Sequence, residues 1–219
     1  MGPVTLAELT IADEPAAWAA LGFAVESDLC VIGAVRIRLA GSAAGRGLVS
    51  WTLRGVSSVE LDGLPTTVSD EPAPTTDAPV HPNGVTTLDH VVAITPALDR
   101  TVAALQAAGL DLRRIREEPT PAGAPRQAFF RLGPVILEVV QAPEGAIAKG
   151  GGPDRSAFFW GLALRTEDID ATVALLGEHA SGPRPAVQPA RRIATLRRSA
   201  GLGIPVALMT PPVAPQPAA

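Results

Sequence analysis

The feature that most constrains the fold is an internal repeat. The segment LDRTVAAL at residues 98–105 resembles IDATVALL at residues 169–176, which sets an offset of 71 residues between two copies. The same offset carries Thr95 onto Thr166, and it carries the Pro-Val pair at 134–135 onto a second Pro-Val pair. Self-similarity at a fixed period indicates that one supersecondary unit was duplicated and that the copies bury their apolar faces together.

Each copy is predicted to contain one strand, one helix and three further strands. In the central copy, residues 86–141, the first strand is LDHVVAI and the last strand is VILEVVQ. Thr95 is predicted to cap the helix because its hydroxyl can accept from a free backbone N–H, and Pro96 suits the first helical position. The second copy, residues 156–210, repeats this order with Thr166 as its predicted cap.

Residues 1–60 are predicted to be a shortened copy of the same unit. Aligning the predicted helix starts places Glu8 on His90, and aligning the last strands, GAVRIRL and GPVILEV, places Arg38 on Glu138. The following segment, LVSWTLRG, is interpreted as the remnant of a further unit that has lost its helix. The chain would then consist of one complete pair of modules and one degenerate module.

Two proline-rich segments flank the repeated region. Residues 61–84 are rich in Pro, Thr, Asp and Gly, and are predicted to link the shortened copy to a domain at residues 85–212. His81 lies in this segment and is predicted to be solvated. Residues 213–219 are predicted to form a disordered tail.

Composition excludes several classes of protein. Hydrophobic residues make up 47% of the chain, which indicates a packed globular protein. The formal net charge of -4 provides no basic surface for phosphates, so no nucleic-acid partner is expected. There is neither an apolar run of membrane-spanning length nor a leader pattern, so we expect a cytoplasmic protein without a membrane partner. No glycine-rich phosphate loop is present, and no nucleotide cofactor is expected.

Two stretches of the central copy, TTLDHVVAITPALDRTVAAL and RQAFFRLGPVILEVV, resemble the vicinal oxygen chelate superfamily, which includes glyoxalases, bleomycin resistance proteins and extradiol dioxygenases. The resemblance covers residues 86–210 and, loosely, residues 1–60. It implies an α+β fold in which paired βαβββ modules curve mixed sheets around a cavity, with a glyoxalase-like domain at residues 85–212. It also implies a divalent metal, held by residues of the first and last strands of each module. Because the fold hosts many chemistries, it does not specify the reaction.

His90 and Glu138 match the two metal-ligand positions that the resemblance implies. Strand alternation places each on the same face as its second neighbours, so the two side chains can point into one cavity. A mixed nitrogen and oxygen site suits Zn, Fe, Mn or Ni. In the second copy the equivalent positions hold Gly161 and Met209, which are not ligands for such metals.

Other residues are candidates for completing the site. Glu8 is the candidate third metal ligand if the shortened copy pairs with the central one. Arg38 would stand at the fourth position, where a cation opposes metal binding but suits an anionic ligand. Arg131 and Arg165 are candidate anion contacts, with a rim position as the alternative. Trp160 is a candidate wall of the pocket, with a core position as the alternative.

Three functions fit these residues. The first is a glyoxalase-like protein that acts on a small oxygen-rich molecule, with a metal serving as Lewis acid in lyase or isomerase chemistry. The second is a metal-free protein of the bleomycin-resistance type, which binds and sequesters a small molecule. The third is a structural module in which His90 and Glu138 form only a hydrogen-bonded pair. A homodimer with modules paired between two chains remains an alternative to the monomer.

Overall fold

Two β-sheets, one of five strands and one of eight, make up the fold. The structure is a computed structural model and describes residues 2–72, 79–121 and 123–212. The predicted tail at 213–219 and part of the predicted linker lie outside these residues. Within the described ranges, no helix is both long enough and apolar enough to cross a membrane.

The first part of the chain forms the five-stranded sheet. Its elements are β1 (Thr5–Ile11), α1 (Pro15–Ala20), β2 (Leu29–Ile32), β3 (Val35–Leu39), β4 (Leu48–Arg54) and β5 (Thr66–Val68), with a 3-10 turn at Ser42–Ala44. The strand order is β2-β3-β1-β4-β5. β1 runs parallel to β3 and antiparallel to β4, and β5 runs parallel to β4.

The second part of the chain forms the eight-stranded sheet. Its elements are β6 (Val85–Thr95), α2 (Leu98–Ala107), β7 (Asp111–Arg116), β8 (Gln127–Leu132), β9 (Val135–Gln141), α3 (Glu144–Lys149), β10 (Phe158–Thr166), α4 (Ile169–Leu176), β11 (Arg184–Pro185), β12 (Arg192–Thr195) and β13 (Val206–Met209), with 3-10 turns at Gly177–His179 and Arg198–Ala200. The strand order is β11-β12-β13-β10-β6-β9-β8-β7.

The two copies of the repeat have the same topology. In the first copy β6 is parallel to β9, which is antiparallel to β8, and β8 is antiparallel to β7. In the second copy β10, β13, β12 and β11 are joined in the same way. β6 and β10 pair antiparallel at the centre and connect the copies. The α+β arrangement of paired βαβββ modules that the sequence predicts is therefore confirmed.

The five-stranded sheet follows the same plan in reduced form. β4 is antiparallel to β1 as β10 is to β6, and β5 is parallel to β4 as β13 is to β10. The connection between β4 and β5, residues 55–65, contains no helix. The interpretation of β4 as the remnant of a unit that has lost its helix stays a prediction.

The helices of the repeat begin later than the sequence predicts. Thr95 and Thr166 end strands instead of capping helices. The cap of α4 is Asp168, whose carboxylate accepts from two backbone N–H groups at 3.0 Å. The hydroxyl of Thr95 bonds that of Thr101 at 2.7 Å, and the hydroxyl of Thr166 lies 2.6 Å from that of Thr172. Because each strand extends through its threonine, the hydroxyl is turned onto the helix and links the two elements.

The two sheets meet through reciprocal contacts between equivalent residues. Gly33, in the turn between β2 and β3, packs against Thr87 of β6. Gly133, in the turn between β8 and β9, packs against Thr5 of β1. A Cβ atom at either glycine would lie 3.1 Å from the threonine methyl carbon, and both glycines have positive φ, 59° and 69°. The two halves therefore contact each other as approximate two-fold mates.

The segment that precedes β6 is anchored by buried polar side chains. His81 is 3% exposed, and its Nδ1 accepts from the backbone N–H of Ala24 at 3.0 Å. Its Nε2 lies 3.0 Å from the carbonyl oxygen of Val31, and the amide of Asn83 donates to Leu21 at 2.9 Å. The prediction that His81 is solvated is therefore wrong, because its side chain contacts backbone groups of β2 and of the loop between α1 and β2.

Candidate functional site

The eight-stranded sheet curves around a cavity of about 1160 Å³. Residues of both edge strands, β7 and β11, line it together with residues of the central strands. Its wall is mainly apolar and includes Val92, Ile94, Phe129, Val140, Phe158 and Trp160. A concave, largely apolar space of this size suits a small organic molecule.

His90 and Glu138 lie side by side on the cavity wall. His90 is on β6, Glu138 is on the neighbouring strand β9, and the parallel register pairs Glu138 with Val92. The imidazole Nε2 is 3.5 Å from the carboxylate Oε2 of Glu138, and both side chains are about one-seventh exposed, at 14% and 15%. This distance is longer than an N–H···O hydrogen bond. The structure thus brings the two predicted site residues together without bonding them to each other.

Asp89 holds the other side of the imidazole. The pairing of β6 with β10 shifts register here, since His90 lies opposite Ala163 and Leu88 lies opposite Leu164. Asp89 is therefore an extra residue of a β-bulge, which allows its side chain to reach its neighbour. Its Oδ1 is 3.0 Å from the Nδ1 of His90.

Two arginines of the second module complete the surroundings of Asp89. Arg165 donates to Oδ2 from Nη2 at 2.9 Å, and Arg191 donates to the same oxygen at 2.7 Å. Burial alone would raise the pKa of Asp89. The hydrogen bonds from His90, Arg191 and Arg165 outweigh burial and hold the pKa of this carboxyl well below its usual range.

The ionised state of Asp89 sets the tautomer of His90. An ionised carboxylate can only accept hydrogen bonds, so the Nδ1 of His90 must carry the proton that it donates to Asp89. In the neutral imidazole Nε2 is then unprotonated and faces Glu138 and the cavity. This arrangement resembles the aspartate–histidine pairs in which the carboxylate orients a base or a metal ligand.

Gln127 fixes the orientation of Glu138. The side-chain amide of Gln127, on β8, donates to the Oε1 atom of Glu138. The Oε1 atom of Gln127 is buried and has no hydrogen-bond partner among the described residues. Since one carboxylate oxygen is engaged by this amide, only Oε2 of Glu138 remains for a ligand in the cavity.

Solved structures with a similar fold are found, although the sequence matches no protein-family model and no curated protein. A fusion protein of a xylose isomerase-like TIM barrel and 4-hydroxyphenylpyruvate dioxygenase aligns with 98% of this chain at 14% identity and a TM-score of 0.60. This chain spans 49% of the fusion protein. This likeness shows that the chain shares the fold of the matched part of that protein over nearly its whole length.

Two methylmalonyl-CoA epimerases also align with part of the chain. The enzyme from Mycobacterium tuberculosis is 20% identical over 59% of this chain and 91% of its own length, with a TM-score of 0.47. A variant of the Streptomyces coelicolor enzyme, in complex with 2-nitronate-propionyl-CoA, is 22% identical over 61% of this chain and 99% of its own, with a TM-score of 0.48.

The metal that the resemblance to the vicinal oxygen chelate superfamily implies is not matched by the donors that the described residues bring together. His90 and Glu138 offer one nitrogen and one free carboxylate oxygen. Among residues 2–72, 79–121 and 123–212, no group of three His, Cys, Asp or Glu side chains is placed to hold an ion. Gly161 and Met209, at the equivalent positions of the second module, add no oxygen or nitrogen ligand. Catalytic metal sites keep three protein ligands and structural ones four, so two donors do not make such a site.

Glu8 and Arg38 lie in the other sheet. The Oε1 of Glu8 accepts from the Nε of Arg38 at 3.1 Å, and its Oε2 lies 3.2 Å from the Nε of Arg36. Arg38 also binds Asp28 at 2.8 Å. This corrects the expectation that Glu8 joins His90 as a third ligand and that Arg38 faces the cavity. The two residues occupy the equivalent positions of their own module, and there they bind each other.

The other three candidate residues of the site lie in different environments. Arg131 is exposed on β8, donates to the carbonyl of Gly133 at 3.4 Å, and does not line the cavity. Arg165 binds Asp89 and so acts on His90 through that carboxylate. Trp160 lines the cavity and is 49% exposed, so it is not a core residue.

Three residues of the site are absent from the sequence prediction: Asp89, Gln127 and Arg191. Strict alternation would place the side chains of Asp89 and His90 on opposite faces of the sheet. The bulge allows the Asp89 carboxylate to reach the His90 ring. A charged residue beside a histidine in the apolar run LDHVVAI is the one available signal, because a buried carboxylate requires partners. Arg191 is separated from Asp89 by more than half of the repeated region, and its contact gives no local pattern.

Proposed function

We propose that this protein binds a small, largely apolar molecule in the cavity of its eight-stranded sheet and holds the polar end of that molecule at His90 and Glu138. The observation that supports this best is the pair of polar side chains, with Nε2 and Oε2 3.5 Å apart, in a mainly apolar wall. Ligand sites of this type combine an apolar lining with a few placed polar groups. Because the donor set does not match the metal, no step of the proposal requires one.

Binding of a neutral apolar dye, Nile red, tests the proposal. We expect a saturable rise in fluorescence with one site per chain. Ala207→Phe would project a larger side chain from β13 into the cavity and should weaken binding at least about tenfold. The matched control is Ala103→Phe on the exposed side of α2, which should bind as the wild type does. Equal affinity of the two variants would place the dye elsewhere and contradict the proposal.

A second candidate function is proton transfer, and it is favoured by one observation, the Asp89–His90 hydrogen bond of 3.0 Å. An imidazole that keeps its proton on Nδ1 presents Nε2 as a general base. A base so placed could take the proton from the carbon beside the carbonyl of a small oxygen-rich substrate, and the imidazolium that forms could return a proton to that carbon. Glu138, 3.5 Å from Nε2, would stabilise that imidazolium. This is the part of the isomerase hypothesis that needs no metal.

Hydrogen exchange distinguishes proton transfer from binding alone. In D₂O, loss of the α-proton of acetoin, a 2-hydroxy ketone, can be followed by NMR. If His90 is a base, the wild type should exchange this proton about a hundredfold faster than His90→Gln, a range typical of general acid–base catalysis. Equal rates for both proteins would leave binding as the function of the cavity.

A further inference from the structure

Arg155 lies on the cavity wall, in the glycine-rich segment between α3 and β10. Its guanidinium carbon is 4.2 Å from the centroid of the Phe158 ring, and its Nη1 donates to the carbonyl oxygen of Gly150 at 2.9 Å. All three residues line the cavity. A Cβ atom at residue 150 would lie 3.0 Å from this Nη1, so the glycine leaves room for the guanidinium. The ring and the carbonyl together fix one edge of the cation at the cavity.

The other edge of the Arg155 guanidinium is free. Its Nε and Nη2 atoms have no acceptor within the part of the chain that the structure describes. In other arginines of this protein the same two nitrogens hold a carboxylate. Those of Arg100 bind Asp62 at 2.8 and 3.3 Å, and those of Arg126 bind Glu117 at 2.7 and 3.0 Å. Two parallel N–H groups match the two oxygens of a carboxylate, and Arg155 keeps this fork unused.

The cavity wall supplies no carboxylate to Arg155. Two of the three glutamates that line it have arginine partners of their own: Glu117 with Arg126 at 2.7 Å, and Glu118 with Arg116 at 3.5 Å. The third, Glu138, lies beside His90. A guanidinium stays charged in proteins, so Arg155 places a permanent positive charge with two unused donors at the cavity.

The distance from Arg155 to His90 indicates an elongated ligand. Phe158, under the guanidinium, pairs with Ile94 of β6, which lies four residues beyond His90 on the same face of the strand. At roughly 3.3 Å per residue, the separation along β6 is about 13 Å. Trp160 lines the cavity between these points. A ligand that contacts both ends would therefore have an apolar middle.

We propose that Arg155 binds the carboxylate of an elongated, mainly apolar acid, whose other polar end reaches His90 and Glu138. This rests on the proposed binding function and specifies the class of ligand. A carboxylate accepts from both N–H groups of the free edge and neutralises the cation. A hydroxyl has one oxygen and no charge, and an ammonium has no acceptor and is repelled.

Three ligands with the same apolar body test the head group: 5-phenylpentanoate, 5-phenyl-1-pentanol and 5-phenylpentylamine. Each is titrated against Nile red bound to the wild-type protein at neutral pH. We expect the carboxylate to bind at least about tenfold tighter than the alcohol, because hydrogen bonds between charged groups are worth more than neutral ones. The amine should bind more weakly than the carboxylate, because the guanidinium repels it.

Substitutions of Arg155 show whether the preference arises at this residue. In Arg155→Gln the carboxylate should lose its advantage over the alcohol, because both the charge and the fork are removed. Arg155→Met, which keeps an apolar contact with Phe158, should give the same result and replaces the first variant if that does not fold. Arg131→Gln is the matched control, since Arg131 is exposed and does not line the cavity, and it should keep the wild-type preference.

Arg114 is the competing cation, because it also lines the cavity and lies 4.9 Å from the centroid of the Phe129 ring. A preference that is lost in Arg114→Gln and kept in the Arg155 variants would overturn the inference. So would equal affinities of the wild type for carboxylate and alcohol, or failure of all three ligands to displace the dye. Each of these results leaves cavity binding intact. Absence of saturable Nile red binding to the wild type would instead contradict the proposed function itself.

Discussion

Asp89 is a buried carboxylate with three donors, and two of these come from the second module. His90, Arg165 and Arg191 all bind it within 3.0 Å. The second module holds Gly161 and Met209 at the positions equivalent to His90 and Glu138. Its arginines nevertheless keep Asp89 ionised, so that the Nδ1 atom of His90 carries a proton. The paired module therefore still acts on the site, through the residue beside the histidine.

Asp89→Asn should destabilise the protein strongly. The substitution leaves Arg191, which is 9% exposed, without its carboxylate, and breaking one partner of a buried ion pair typically costs about 3–5 kcal/mol. Urea denaturation followed by circular dichroism measures the free energy of unfolding. Asp170→Asn is the matched control, because the Asp170–Arg192 pair is exposed and such pairs contribute little. Equal losses in the two variants would contradict the role given to Asp89.

His81 predicts a pH dependence of stability. Burial lowers the pKa of His81 below its ordinary value of 6.5, so the folded protein keeps the imidazole neutral where the unfolded chain takes up a proton. A lowered pKa of a histidine means that stability is lost as the pH falls below about 6.5 towards the folded-state pKa. The free-energy difference between wild type and His81→Gln should therefore shrink from pH 7.5 to pH 5.5. A difference that is constant with pH would show that His81 is not held neutral.

At the scale of single elements, the regular strands were predictable and the bulge was not. Alternation with a period of two predicted that the side chains of His90 and Glu138 point into one cavity. The parallel register of β6 and β9 agrees with this prediction, because it pairs Glu138 with Val92, two residues from His90. The same rule misplaced Asp89, because a bulge adds one residue to one strand and leaves no mark in the hydrophobic pattern. The helix starts were missed for a related reason, since both strands continue through the predicted caps.

A second feature at this scale is Gly161 of β10, because the backbone of the residue that precedes β13 lies close to it. A Cβ atom at residue 161 would lie 2.8 Å from the carbonyl oxygen of Pro205, which belongs to the backbone and cannot turn away. Gly161→Ala should therefore lower the free energy of unfolding by about 1–3 kcal/mol, the usual range for overpacking. Gly145→Ala in α3 is the control. Its Cβ meets nothing within 4 Å, so the protein should become slightly more stable. Thermal unfolding gives the midpoint temperature of each variant. Equal changes of this temperature in the two variants would contradict the steric clash inferred at Gly161.

At the scale of the whole molecule, the repeat predicted the fold better than it predicted the site. The 71-residue offset predicted two modules of equal topology, and alignment of the shortened copy equated Glu8 with His90 and Arg38 with Glu138. Equivalent residues, however, occupy equivalent places in different modules. Glu8 therefore lies beside Arg38, as His90 lies beside Glu138, and the two pairs stay in separate sheets.

The contact between Gly133 and Thr5, which joins the two halves, leads to a further prediction. Gly133→Ala should be more destabilising than Gly201→Ala. Both glycines have positive φ, 69° and 75°, so both substitutions carry the left-handed strain of about 1–2 kcal/mol. Only the first also presses a Cβ onto the methyl carbon of Thr5, at 3.1 Å, whereas nothing lies within 4 Å of the second.

The double variant Thr5→Ser/Gly133→Ala should recover the extra loss, because serine lacks that methyl group. Denaturant unfolding of the single and double variants gives the coupling free energy between the two residues. A coupling free energy of zero would show that the halves do not press on each other at this point.

The short distance between Pro205 and Gly161 also affects whether a metal centre could be designed into this cavity. Rebuilding four ligands would begin with Gly161→His and Met209→Glu, but the first carbon of the new histidine would already collide with the carbonyl of Pro205. A variant with only some of the ligands would be less stable than the wild type, and no bound ion would yet offset that loss. Proteins close to the stability that they need to stay folded do not tolerate such a loss. Redesign would have to move β13 outward first and add the ligands afterwards. The order of these changes would therefore matter as much as their identity.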